Sequence, residues 1–385
     1  MRSIPILDLK AQLKSYRERA LEAMTEVMDS QYFILGPRVS AFEEALGDWL
    51  GLPSALGVSS GTDALLVALM ALDIGPGDEV IIPAKSFFAT AGVVARLGAT
   101  PVFVDVDPLT YNVTEELVRD AITERTRAII PVHLFGQVAD LGSLYSTPKD
   151  ERPAIIEDAA QSLGARLGGV STGHLGDVSC TSFFPSKNLG GFGDGGALYG
   201  RDEAILERAK ILRVHGSKPK YHHHVVGGNF RLDALQAAIL HIKLEYLDSW
   251  AEARRANADY YDAAFADRGL VNEEQLMTPW RHPNATHVFN QYVIRTPQRD
   301  ALKAYLAERG VQTMIYYPSP LHLQPCFASL GHKEGEFPHA ERACKEVLAL
   351  PVYPELPRED HDYVIETIAS FFAERGSTQG AVSGS

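Results

Sequence analysis

The chain has 385 residues, 45% hydrophobic and 22% charged, which is enough for a large buried core and too long for one average domain. A formal net charge of −13 excludes broad binding to nucleic acid or anionic membranes, since both need a basic field; a small anionic ligand in a locally positive cleft is still allowed. The three cysteines, Cys180, Cys326 and Cys344, are widely spaced and odd in number, so neither a disulfide framework nor a zinc spacing follows. The start, Met1-Arg2-Ser3-Ile4-Pro5, has no apolar signal core, and no apolar run approaches membrane-spanning length. A cytoplasmic protein without a membrane part is expected.

In chain order, residues 10–29 and 40–50 read as amphipathic helices split by the turn Gly36-Pro37. From about residue 57 the pattern alternates between strand and helix. The strand Ala55–Val58 leads through Ser59-Ser60-Gly61-Thr62 into a helix over 63–72. Strands over 79–83, 101–105, 128–133 and 154–158 follow, with helices over 89–97 and 114–122 between them. Short apolar runs separated by helical patterns predict an α/β fold with a mostly parallel sheet flanked by helices. Helices are predicted up to Leu212 and over 231–265. The region 285–372 mixes strands (287–295, 312–316) with helices (299–309, 339–348, 360–373), which suggests a smaller α+β domain. The expected division is an N-terminal arm and large domain over 1–250, a small domain over 251–375, and a Gly/Ser-rich disordered tail over 376–385.

Four segments carry candidate chemistry. Ser60-Gly61-Thr62 joins a strand to a helix, where a close backbone approach, hydroxyl donors and free first-turn amides suit a phosphate. Phe87, with Phe88 as the fallback, follows the strand over 79–83 at the carboxyl end of the sheet and can stack on a flat heteroaromatic ring. Asp158 ends an acidic strand and can pair with a protonated ring nitrogen; the competing reading is a helix N-cap. Gln161 lies one helical turn on, within reach of a phenolic oxygen. Lys187, in a tight segment followed by Gly190-Gly191-Phe192-Gly193-Asp194-Gly195-Gly196, can form a Schiff base with an aldehyde and then act as general base and acid. Ser182 can donate to the phosphate. The glycines give the backbone freedom to turn around the lysine. A lysine imine and an acidic pyridinium partner are what pyridoxal 5′-phosphate (PLP) asks of a protein.

The segments G-V-S-S-G-T-D-A-L, G-P-G-D-E-V-I-I-P-A, P-V-F-V-D-V-D-P-L-T-Y-N, I-I-P-V-H-L-F-G-Q, I-I-E-D-A-A-Q-S-L-G-A, F-P-S-K-N-L-G-G-F-G-D-G-G-A and R-L-D-A-L-Q-A-A-I-L resemble the DegT/DnrJ/EryC1/StrS family of PLP-dependent nucleotide-sugar aminotransferases. The resemblance is collinear from Ile4 to about residue 372. It implies PLP fold type I, the aspartate-aminotransferase-like architecture, with PLP and its pyridoxamine form as cofactor. It also implies Lys187 as the Schiff-base lysine, Asp158 as pyridinium partner, Gln161 at the phenolic oxygen, and Gly61, Thr62 and Ser182 at the phosphate. Family members are dimers with composite sites in which an asparagine of the neighbouring subunit reaches the phosphate; Asn229 occupies that position.

On the substrate side, Tyr316-Tyr317-Pro318-Ser319-Pro320-Leu321-His322 resembles the Y-P-x-P-L-H stretch of members that aminate keto sugars, often at C3. Tyr317 and His322 are therefore candidate substrate contacts, the alternative for His322 being a structural role. Arg231 is a candidate for an anionic group or for a salt bridge at the dimer interface. His222-His223-His224 cannot all face one ion, so no metal is expected there and a solvated loop is. The resemblance implies transfer of an amino group from L-glutamate to a nucleotide-linked ketosugar. The related pyridoxamine-dependent sugar dehydratases carry histidine in place of the lysine, so Lys187 argues against that activity. A PLP-binding regulator without turnover is the remaining alternative.

Overall fold

The computed structural model describes residues 2–382, with side chains described through Arg375. Seven strands form the main sheet: β1 (Ala55–Val58), β2 (Glu79–Pro83), β3 (Thr100–Val104), β4 (Thr126–Ile129), β5 (Ala154–Asp158), β6 (Val178–Ser182) and β7 (Gly196–Tyr199), in the order β1-β7-β6-β5-β4-β2-β3. All pairings are parallel except those of β7, which runs antiparallel to both β1 and β6. β2 is buried along its whole length, as its apolar run demands of a strand covered on both faces. The helix Gly61–Ala71, leaving β1, buries nearly all of its residues, including Leu65, Leu66, Val67 and Leu69, because Ala, Leu and Val surround its axis. The first core is therefore continuous from this helix across the sheet.

β6 and β7 are absent from the sequence expectation. Val178-Ser179-Cys180-Thr181-Ser182 does not read as an apolar run, yet Ser179 and Thr181 are as buried as their apolar neighbours. The register explains their importance. Gly196 lies opposite both Val58 at the end of β1 and Ser182 at the end of β6, and Asp158 lies opposite Cys180. The carboxyl ends of β1, β5 and β6 thus share one edge.

A second core gathers Ile4, Tyr261, Phe265, Tyr292, Leu302, Leu306, Leu350 and Ile368. Its sheet is the antiparallel pair β8 (Tyr292–Arg295) and β9 (Val347–Leu350). The expected helix over 339–348 ends at Glu346, and the fully buried Val-Leu-Ala-Leu that follows pairs as β9. Residues 312–316 make only an isolated bridge, Met314 with Ala349. The expected helix over 231–265 is two helices, Ala234–Leu244 and Leu247–Asp267. The expected division at 250/251 falls inside the second of these, and Ile4 of the N-terminal arm bridges Val311 in the second core. The tail expectation over 376–385 meets a last helix that runs Arg358–Val382; residues 383–385 lie outside the described residues.

A Cβ added at Gly61 would stand 2.6 Å from the Ser182 Cβ. Gly61→Ala is expected to cost about 1–3 kcal/mol of stability through this clash, read as a lower urea midpoint with an unchanged denaturant slope.

Candidate active site

A cavity of about 340 Å³ opens at the shared strand edge. Ser60, Gly61, Thr62, Phe87, Asp158, Gln161, Ser182, Lys187 and Tyr317 all line it, so nine of the residues singled out in the sequence converge. At one end the turn after β1 meets the end of β6. The Ser60 hydroxyl is occupied in capping: it accepts from Asp63 N at 3.0 Å and contacts Asp63 Oδ2 at 3.0 Å. The hydroxyl donation to phosphate expected of Ser60 is therefore absent from this geometry. What remains are the first-turn amides of Gly61 and Thr62, which have no carbonyl one turn earlier in the helix, and the Ser182 hydroxyl, which accepts from Phe184 N at 3.2 Å and retains its proton to donate.

Opposite this cradle, the Asp158 carboxylate is buried. Its Oδ2 accepts from Thr90 Oγ1 at 2.9 Å and its Oδ1 from Ala160 N at 3.2 Å. No helix starts at Asp158, so the N-cap alternative has no helix to cap. Burial raises the Asp158 pKa above its ordinary value, while Thr90, Ala160 and the charge of Lys187 oppose the rise. The strand end is fixed from below. His133 N donates to Asp158 O at 3.0 Å, and the buried His133 ring lies 2.9 Å from Glu157 through Nε2. Since His133 Nδ1 accepts from Ala139 N, its Nε2 bears the proton that Glu157 receives. Lys187 opens into the same cavity, and burial lowers its pKa to about 8, with Asp158 pulling the other way. An amine and a carboxylate that both bear on one cavity, each with its charged form disfavoured, form a pair suited to proton movement.

The side walls are aromatic and neutral. Phe87 is 54% exposed, with its ring 5.8 Å from that of Tyr317; Phe88 instead stacks on Phe327, away from the cavity. Gln161 Oε1 accepts from Phe135 N at 2.7 Å and its Nε2 donates to Tyr317 OH at 3.1 Å, which leaves the second amide proton free. Behind this wall Lys85 is 1% exposed, and its ammonium donates to the Tyr316 carbonyl at 3.0 Å.

Three candidates stand elsewhere. His322 is corrected to a structural role: its side chain is fully buried, 3.2 Å from Glu341 and edge-on to Phe337, and does not line the cavity. Arg231 bridges Val58 through its backbone and leaves Nε buried without a hydrogen-bond partner among the described residues, outside the cavity. Asn229 is exposed and pairs by backbone with Val214. His223 and His224 lie in hydrogen-bonding reach of the carbonyls of His215 and Lys218, bracing their own loop. None of the glycines from Gly190 to Gly196 has a positive φ; they supply room rather than unusual turns, as where a Cβ at Gly196 would lie 2.5 Å from Ser60 C. The sequence reading missed Ser86, Thr90, Tyr316 and Gln291. Thr90 reaches Asp158 only through the fold, and Ser86 reaches Thr90 at 3.0 Å.

These residues fit PLP. The Gly61 cradle would close if a Cβ were added, Asp158 is bonded to two donors and to no cation, and the amine of Lys187 is partly neutral near pH 8. The sequence profile of the DegT/DnrJ/EryC1/StrS aminotransferase family matches residues 14–369. The chain is 48% identical over 370 residues to a pleiotropic regulatory protein of Geobacillus stearothermophilus, covering 96% of this chain and 99% of that one. It is 42% identical over 357 residues to the UDP-N-acetyl-3-dehydro-alpha-D-glucosamine 3-aminotransferase of Acidithiobacillus ferrooxidans, covering 93% and 95%. The crystal structure of DesV from S. venezuelae in complex with a ketimine intermediate superimposes with a TM-score of 0.92 at 41% identity, covering 96% of this chain and 99% of that one. The architecture is the expected fold type I.

Because the Lys187 pKa in the folded apoprotein lies near 8 rather than 10.5, its neutral fraction grows as pH rises through 8. Capture of added PLP, followed by absorbance, is expected to accelerate roughly tenfold per pH unit below that point and to level off above it. A rise that continues to about 10.5 would contradict the lowered value.

Proposed function

The chain belongs to the DegT/DnrJ/EryC1/StrS aminotransferase family, and from that premise we propose that it moves an amino group from L-glutamate to the C3 keto carbon of a nucleotide-linked sugar, for amino-sugar biosynthesis. It is a sugar aminotransferase, and its cofactor is PLP, cycling with the pyridoxamine form. The single observation that carries the assignment of roles is the convergence of Lys187, Asp158 and the Gly61 cradle on one cavity. When bound, PLP supplies an aldehyde carbon that holds the amino group between the two substrates and a ring that withdraws electrons from the reacting carbon.

The geometry supports the following part for the protein's own residues. Gly61, Thr62 and Ser182 would hold the phosphate. Asp158, held by Thr90 and Ala160 N, would pair with the pyridine nitrogen and favour its protonated form. Gln161 has a free amide proton to offer the phenolic oxygen. Phe87 would offer its ring to the cofactor ring. Lys187 would hold the cofactor through Nζ and, once freed by a substrate amine, would carry a proton from and to the reacting carbon through the same atom. Ser60 acts by capping the helix rather than by touching the phosphate.

The reading extends to a cytoplasmic homodimer in which Asn229 of the partner subunit completes the phosphate site. Asn229 is exposed and does not line its own chain's cavity. Beside its segment, Ile34 bridges Asp233, and Tyr32, Ile34 and Val226 are exposed apolar side chains of the kind an interface covers. The name of the Geobacillus relative suggests regulation; the intact set of Lys187, Asp158 and Gln161 favours turnover.

The absorbance spectrum of the purified protein, before and after L-glutamate, tests the donor half-reaction. The visible band of lysine-bound cofactor is expected to give way to the pyridoxamine band, and a band indifferent to glutamate would overturn the choice of donor. Lys187→Ala is expected to keep the fold and thermal midpoint while abolishing both the visible band and turnover. Transamination retained by this variant would sink the assignment of Lys187.

A further inference from the structure

One polar group in the cavity wall has no role in holding the cofactor. Gln291 lines the cavity, and its Oε1 is buried without a hydrogen-bond partner among the described residues. Its place is fixed by the backbone: Gln291 N donates to Phe135 O at 3.3 Å, and Phe135 N donates to Gln161 Oε1 at 2.7 Å. Gln291 therefore stands beyond Gln161 on the same wall. It also lines a second, much smaller cavity beside Tyr111, His287 and Trp280. A buried carbonyl oxygen left unmet costs free energy in the free enzyme, and a ligand that meets it recovers that cost.

The two substrates differ in what they offer. A carboxylate of an amino acid donor only accepts, so it can pair with the amide N–H of Gln291 and leaves Oε1 as it was. A sugar hydroxyl both donates and accepts, and satisfies the side-chain amide whichever way it is turned. The neighbouring groups agree. Phe87, Ser186, Tyr316 and Tyr317 are neutral, and among the described lining residues Lys187 is the one cation and no arginine appears. We propose that Gln291 is a specificity-determining contact, its side-chain amide hydrogen-bonding a ring hydroxyl of the sugar and leaving the carboxylates of the amino donor alone. The proposal rests on the nucleotide-sugar reading of the site.

The test uses the holoenzyme in its pyridoxamine form, titrated calorimetrically with UDP-N-acetylglucosamine and with UDP, as wild type, Gln291→Leu and Gln291→Met. Both variants are expected to weaken the sugar nucleotide about tenfold or more while leaving UDP unchanged. The spectral change driven by L-glutamate is expected to keep its wild-type rate. An equal loss for UDP and the sugar nucleotide, an unaltered affinity for both, or a slowed glutamate step in both folded variants would overturn the proposal. A wild type that binds UDP-N-acetylglucosamine no better than UDP would overturn the reading of this wall as a subsite for the sugar, and this inference with it. That failure appears in the unaltered enzyme, so the two are told apart.

Discussion

The short strand Gly196–Tyr199 is the constraint on which the site depends. It runs antiparallel between two strands that are otherwise part of a parallel sheet, and its first residue faces the ends of both. With no side chain at Gly196, the backbone of Ser60 and Gly61 comes into contact with it, and Gly61 in turn lies against Ser182. The turn after β1, the end of β6 and the start of β7 are thereby pressed into one corner. The adjacent β5 carries Asp158 to the same edge at a fixed register. The placement of the cradle relative to the carboxylate is a property of the sheet, which is why loops can vary around it without disturbing the chemistry.

Burial then sets the chemistry of that corner. Lys187 and Asp158 are both pushed towards their neutral forms by desolvation, and each restrains the shift of the other. A cationic ring placed between them would relieve the carboxylate and leave the lysine amine free to react. The support below is equally specific: the proton on His133 Nε2 goes to Glu157, whose other oxygen accepts from the amides of Gly173 and Gly176. The strand end that bears Asp158 is consequently held by side chains as well as by the ladder.

Much of this was legible in the sequence because the relevant signals are local. Strand–turn–helix at Ala55–Ala71 and the apolar strand ending in Glu157-Asp158 can be read from a dozen residues each. β6 escaped because buried Ser and Thr look like surface residues until neighbouring strands are known, and β7 because the four residues Gly-Ala-Leu-Tyr follow directly on a glycine-rich segment. Thr90 and Gln291 escaped because their importance is a matter of distance across the fold. His322 misled for the opposite reason. It sits in a segment that resembles a substrate loop, but the fold turns its ring inward onto Glu341 and Phe337. Ser60 was in the right place with its hydroxyl already committed to the helix it starts.

The anchoring of the tyrosine wall by Lys85 has a wider consequence. The ammonium holds a main-chain oxygen, that of Tyr316, and not any part of the tyrosine ring. Exchange of the ring at 316 would alter the lining of the cavity without touching the group that fixes the chain there. The protein thus separates where its wall stands from what its wall presents. Such an arrangement leaves the side chain at 316 open to exchange while the main chain beneath it keeps its anchor.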